Sequence, residues 1–257
     1  MRKDTELSDI DSPRTAALHA SLIRSKPVLK KIYLENYCFF KEVVDDVPRG
    51  SILEVGSGGG FLKNVLPSVI TSDVIKTSYV DICLSASKLP FYNNSLSGIL
   101  MMDVFHHLQD IDKFLTGAQR CLMPGGKIAM IEPANTPWSR FIYKTFHHEP
   151  FDPNQEGWRL APGGPMSQAN GALPWIVLSR DRNLFEGKYP YLKIESMKFT
   201  CPFLYLISGG VSRRQFVPSF TYPFLKVYDY LLKPFYFLLG MFMMVVIAKS
   251  EHIQQDL

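Results

Sequence analysis

The sequence predicts an α/β protein built on a doubly wound, mostly parallel sheet, and two observations carry that prediction. Short apolar runs alternate with helical segments between residues 51 and 133, a rhythm that lays helices on the faces of a parallel sheet. The first run, Ile52 to Val55, leads into a glycine-rich turn, Gly56 to Gly60, and then into Phe61-Leu62-Lys63-Asn64-Val65-Leu66, which reads as the start of a helix. That order is the opening of a strand–turn–helix unit. At 257 residues the chain suffices for one well-buried core with additions and is short for two independent domains.

The elements follow in order. Residues 1–47 carry Leu29, Ile32, Tyr33, Tyr37 and Phe40 at helical spacing and are expected to form an N-terminal helical cap. Residues 48–133 form the core, with strands at Ile52 to Val55, Ser68 to Val74, Tyr79 to Leu84 and Gly98 to Val104. A helix over residues 111–121, a tight turn at Met123 to Gly126 and a strand from Lys127 to Glu132 complete it. Residues 134–240 form a lid or substrate-binding region: up to residue 190 they are rich in Pro, Gly, Trp and His without a clean period, and Tyr191 to Thr200 then alternates like a strand. Residues 241–250 supply the last strand. Pro234 to Ala248 is a run of fifteen residues without a charge, shorter than the roughly 20 that a membrane-spanning helix needs. A helix end near Leu239, a break at Gly240 and a strand from Met241 fit it better than an anchor.

Composition narrows the function. The net charge of +4 comes without a long basic run, so nucleic acid is not an expected partner. Cys38, Cys83, Cys121 and Cys201 are widely spaced with no CxxC pair, which points to reduced thiols rather than to zinc or disulfides. The first ten residues carry charges where a secretory signal needs an apolar stretch, so a cytoplasmic protein is expected. Peripheral contact with the inner face of a membrane stays open.

The strongest motif is Glu54-Val55-Gly56-Ser57-Gly58-Gly59-Gly60. Glycines let the backbone turn sharply and approach a ligand, and the following helix start offers free N–H donors. Further along come Asp73, then Leu89-Pro90-Phe91 with Asn93-Asn94-Ser95, then Asp103-Val104-Phe105-His106-His107-Leu108, then Arg120-Cys121-Leu122-Met123-Pro124-Gly125-Gly126-Lys127. In this order the segment resembles the class I S-adenosylmethionine-dependent methyltransferases, of the type 11-like domain.

The resemblance implies a Rossmann-like, mostly parallel seven-stranded sheet with an antiparallel last strand and a C-terminal substrate-binding insertion. It also implies S-adenosylmethionine as cofactor. Gly56, Gly58 and Gly60 would pass under its methionine part, with Glu54 orienting the ammonium group. Asp73 would accept the ribose hydroxyls, and Asp103 would lie near the sulfonium. Ser85 and Ala86 stand where relatives commonly read Asp-Ala, and Ser97 stands where they read Asp. Ser85 can still bond an adenine amino group, more weakly than a charged acceptor, and Asp81 is a candidate to supply the missing carboxylate.

The acceptor half is less marked. If the acceptor atom is oxygen, a base must take its proton, and His147, His148 and His106 are the candidates in that order. Glu149 and Trp158 are expected to orient and stack on the acceptor, and Arg213 to meet a phosphate. As a metal site the His147-His148-Glu149 segment matches no standard ligand spacing, and no metal is expected. The aromatic stretch from Phe203 to Phe237 reads either as helix packed on the sheet or as a greasy surface that receives a lipid-linked acceptor. The expected reaction is methyl transfer to a small-molecule, sugar-containing or lipid-linked acceptor at oxygen. Two rivals remain. An NAD-type oxidoreductase is disfavoured because Phe61 occupies the third glycine position of G-x-G-x-x-G. A non-catalytic or membrane-associated binding protein that kept the fold is suggested by Ser85, Ser97 and the apolar tail.

Overall fold

The computed structural model describes residues 11–164, 166–211 and 213–250. The charged first ten residues, on which the expectation of no export rests, lie outside the described residues. Helices α1 (Pro13–Ser25) and α2 (Pro27–Val44) make the N-terminal cap. They part at Lys26, which is extended, because the residue before a proline is driven out of the helical region. Of the expected apolar positions, Leu29, Ile32, Tyr37 and Phe40 are buried, and α2 packs across β4 (Leu96–Met102) and β5 (Leu122–Pro133).

Among the described residues the sheet has seven strands. Besides β4 and β5 they are β1 (Ser51–Val55), β2 (Ile70–Asp73), β3 (Ile82–Cys83), β6 (Leu192–Thr200) and β7 (Phe242–Lys249). Their spatial order is β3-β2-β1-β4-β5-β7-β6. β7 runs antiparallel to both β5 and β6, and the pairs from β3 to β5 are parallel. The expected sheet is therefore present, with β7 as its one antiparallel strand. β4 and β5 read as near-continuous apolar runs because both faces of a parallel sheet are covered.

Three local expectations change. The helix expected from Phe61 is a single 3-10 turn, Phe61–Asn64, since Pro67 follows at once and cannot continue a helix. The turn expected at Met123 to Gly126 sits inside β5 as an irregularity: Leu96 pairs with Leu122, and the next pairing is Gly98 with Lys127. The supposedly irregular stretch before β6 holds real helix. Helix α3 (Ile111–Cys121), capped by Asp110 accepting from the Lys113 N–H, lies before β5 where a helix was expected, and in the irregular stretch α4 (Pro137–Phe146) follows β5. Then α5 (Leu173–Trp175) runs through a π-helical turn, Ile176–Arg180, into α6 (Arg182–Lys188). Pro174 and the π turn hide the 3.6-residue period from the sequence.

Helices α7 (Leu204–Ser208), α8 (Tyr222–Leu231) and α9 (Tyr236–Leu239) link β6 to β7. The break at Gly240 and the strand after it lie as expected. Among the described residues no helix is long and apolar enough to cross a membrane.

Candidate active site

The carboxyl ends of β1, β4 and β5 open into a cavity of about 520 Å³. This is where ligands bind in doubly wound sheets. The glycine turn forms one wall. Gly56, Gly58 and Gly60 all have left-handed φ, and a Cβ on Gly56 would come 2.3 Å from Val104 Cγ2. At Gly58 nothing lies within 4 Å of such a Cβ, so the loop backbone there faces open space.

Glu54 is the most informative residue of this wall. It is only 6% exposed, it lines the cavity, and its Oε2 has no hydrogen-bond partner. Burial pushes its carboxyl up to about 7 against a hydrogen bond from Ser57 that favours the charge. A buried carboxylate with one oxygen unpartnered calls for a cation, and an α-ammonium group meets that need. Asp103 follows β4, the strand beside β1, and lines the cavity in the left-handed region with φ 55°. Burial, with the charge of Glu132 behind it, pushes its carboxyl up to about 7 as well.

Asp73 stands behind the loop rather than in the cavity wall. Its Oδ2 accepts the Gly58 N–H at 3.0 Å and its Oδ1 the Ile75 N–H at 2.9 Å, so it ties the glycine turn to β2. Ser85, Ala86 and Gly60 also lie outside the cavity lining. Ser85 Oγ is exposed, 2.9 Å from Ser87 Oγ, and Ala86 is buried in the core. Asp81 does not replace the missing carboxylate: it bonds Thr71 and the Lys63 ammonium and braces β2.

The opposite wall gathers histidines. Five of the six in the chain, His19, His106, His107, His147 and His148, line this cavity. His106 and His107 sit on a 3-10 turn, Phe105–His107, directly after β4. Glu132 of β5 organises that turn. Its Oε1 accepts the N–H groups of Val104 at 2.9 Å and Phe105 at 2.7 Å, and its Oε2 lies 2.7 Å from His106 Nδ1. Glu149, on the loop after α4, approaches from the other side, 3.4 Å from His106 Nε2 and 3.5 Å from His107 Nε2.

Burial alone would push His106 down, but the two carboxylates outweigh it and hold the ring protonated, while Glu149 is held well below the usual carboxylate range. An imidazolium has no lone pair with which to take a proton, so the base role expected of His106 does not suit this form. His147 and His148 stack at the cavity mouth, and burial pushes His147 down, toward the neutral form a base requires.

Trp158 is corrected outright. It is buried in the core away from the cavity, its indole N–H donating to Asp181 at 2.9 Å and its ring under Lys188. Arg213 is exposed and lines the cavity. Sequence reasoning missed Glu132, which is hidden in an apolar strand, and His19, which sits in the helical cap. No local signal marks either one.

Residues 53–130 match the family model of a methyltransferase domain. Among solved structures, a geranyl diphosphate methyltransferase in complex with SAM is similar at 11% identity and a TM-score of 0.53, covering 90% of each chain. Also similar is the geranyl diphosphate C-methyltransferase of Streptomyces coelicolor A3(2), in complex with Mg2+, geranyl diphosphate and S-adenosyl-L-homocysteine. It has 10% identity and a TM-score of 0.50, covering 86% of this chain and 81% of that one. At such identities the likeness is one of fold. No curated protein sequence matches the chain.

Proposed function

We propose that this chain, which carries a class I S-adenosylmethionine-dependent methyltransferase domain, methylates an oxygen of a sugar-containing or lipid-linked small molecule drawn from a membrane surface. The cofactor supplies an electrophilic methyl group, so the protein has chiefly to align the acceptor and exclude water. Glu54 takes the ammonium group, the turn from Gly56 to Gly60 passes beneath the methionine part, and Asp103 lies beside it. His106 and Glu149 orient the acceptor, and His147, with His148 beside it, receives its proton.

One observation carries the choice of acceptor. Phe224, Val227, Tyr228 and Leu231 recur at i, i+3, i+4 and i+7 on α8, and all four are exposed, Phe224 at 73%. That spacing makes one apolar helix face, and here it points away from the protein. Phe216, Phe220, Tyr230, Phe235 and Phe237 are exposed too, with Arg213, Arg214 and Lys233 among them. Phe216 and Arg213 also line the cavity, so the aromatic and basic surface runs into the site. An exposed apolar face edged by cations suits the interface of an anionic membrane.

The test is co-sedimentation of the full chain with vesicles of phosphatidylcholine and phosphatidylserine. It runs alongside transfer of radiolabelled methyl from S-adenosylmethionine into an organic-extractable lipid fraction. Vesicle binding that Phe224→Glu with Leu231→Glu abolishes, cofactor binding being kept, supports the reading; label confined to the aqueous phase refutes the lipid-linked acceptor. The non-catalytic reading retains one observation in its favour, since Ser85 Oγ faces Ser87 and Asp81 is held by Thr71 and Lys63. Calorimetric titration with S-adenosylmethionine decides it, because absence of binding would favour a partner protein.

A further inference from the structure

Two segments distant in sequence meet on the inner wall of the cavity. His106 and His107 stand on the turn after β4, and Glu149 on the loop after α4. One nitrogen of each histidine and one carboxylate oxygen lie within 4.8 Å of one another. The His106–Glu149 and His107–Glu149 separations of 3.4 and 3.5 Å exceed the roughly 2.7–2.9 Å of a charge-assisted hydrogen bond. They run to different oxygens of the carboxylate, Oε2 for His106 and Oε1 for His107, and each is close to the ~3.3 Å that separates two ligands of a tetrahedral ion with bonds of about 2.0–2.1 Å.

The far nitrogens are held as ligating histidines hold theirs. His107 Nδ1 lies 3.0 Å from the Gln168 carbonyl. A carbonyl can only accept, so Nδ1 carries the hydrogen and Nε2 turns a lone pair toward Glu149. His106 Nδ1 lies 2.7 Å from the Glu132 carboxylate, which is itself fixed by two backbone N–H groups. A carboxylate on one ring and a carbonyl on the other are the outer partners that orient metal-binding imidazoles. Charge points the same way: Asp103, Glu132 and Glu149 converge here, and Arg213 at the mouth is the one Lys or Arg among the described lining residues.

We propose that His106, His107 and Glu149 hold a divalent transition-metal ion of the zinc class, which presents the acceptor's hydroxyl oxygen to the cofactor's methyl group. Two imidazoles and one carboxylate leave a coordination position for that oxygen, and coordination makes the hydroxyl more acidic. The ion takes the place of the Nε2 proton that His106 holds between its carboxylates in the ion's absence. The hydroxyl gives its proton to His147 or water, and its oxygen bonds to the methyl carbon as the methyl–sulfur bond breaks. Sulfur leaves with the electron pair as a neutral thioether, and the ion is unchanged. The role of the ion rests on the methyl-transfer reading; its binding does not.

The tag-free full chain, stripped with a chelator, is titrated with Zn2+ by calorimetry and with Co2+ by visible absorption. One ion per chain at micromolar affinity or tighter, with visible Co2+ bands of a four- or five-coordinate nitrogen–oxygen site, is the expected result. His107→Ala and Glu149→Gln each weaken binding at least 100-fold, and cooperative thermal unfolding of the near-isosteric Glu149→Gln shows that the loss is not one of folding. No binding, or equal binding by both variants, overturns the site. Stripped protein that methylates an acceptor as fast as loaded protein overturns the ion's role while methyl transfer stands. An ion bound as expected in a chain that methylates nothing supports the site and sinks the methyl-transfer reading instead.

Discussion

His106 Nδ1 lies 2.7 Å from Glu132 Oε2, and the other oxygen of that carboxylate holds the backbone N–H groups of Val104 and Phe105. One fully buried side chain thus fixes both the turn that carries the histidines and the orientation of the first ring. Glu132→Ala leaves a buried N–H group at Phe105, a partly buried one at Val104 and a buried histidine without their acceptor. It is expected to destabilise the protein by about 3–5 kcal/mol, measured by urea unfolding, and to lower turnover beyond what any change in acceptor KM explains.

The second prediction concerns pH. Glu54 has its carboxyl raised from 4.5 to about 7 by burial, so the cofactor-free fold prefers the protonated form. Its contribution to stability is complete below pH 4.5 and is lost as pH rises through about 7, on the order of 3 kcal/mol in all. Glu54→Gln should flatten that loss between pH 5 and pH 8 in thermal melts of the free protein. An ammonium bound at Glu54, as proposed, requires the ionised form, so cofactor affinity should fall up to about tenfold per unit below pH 7. The same Gln variant should bind weakly with no such slope in calorimetry.

Gly56 and Gly58 separate folding from binding. A side chain at Gly56 meets Val104 at 2.3 Å in a left-handed backbone, so Gly56→Ala should cost about 2 kcal/mol or more of stability. At Gly58 there is room, and only the φ of 50° resists. Gly58→Ala should cost about 1 kcal/mol and yet lose most cofactor affinity, because its methyl group projects into the open space proposed for the ligand. Melting temperature and calorimetry on both variants check the contrast.

Asp73 braces the loop through the Gly58 and Ile75 N–H groups. Asp73→Asn keeps one acceptor oxygen and the side-chain size. A ribose-binding carboxylate predicts a cofactor affinity reduced about tenfold or more, roughly the 1.4 kcal/mol of one charge-assisted bond. Unchanged affinity would leave Asp73 with the bracing role alone.

The sheet was legible in the sequence because each strand announces itself locally. β1, β4 and β7 are apolar runs bounded by Gly, Pro or polar residues, and the glycine turn states where the ligand-binding crevice begins. The place of Glu54 beside the turn was legible for the same reason, two residues from the first glycine, and the structure sets it in the cavity wall. Trp158 misled because burial depends on what packs around a side chain: a ring free to stack and a ring locked under Lys188 look alike in one dimension. The outward apolar face of α8 was ambiguous on the same ground, since an amphipathic period does not say on which side the protein lies.

The sequence by itself determined the layered α/β architecture, the glycine turn and the carboxylate behind it, since these follow from backbone sterics and from periodicity over a few residues. Only the tertiary structure decided that His106 and His107 face Glu149, more than forty residues away, and that Glu132 stands behind them. Such contacts arise where separate strands and loops end side by side. That placement is set by the register of β4 against β5 and by the path of the chain after α4, neither of which leaves a local pattern in the residues themselves.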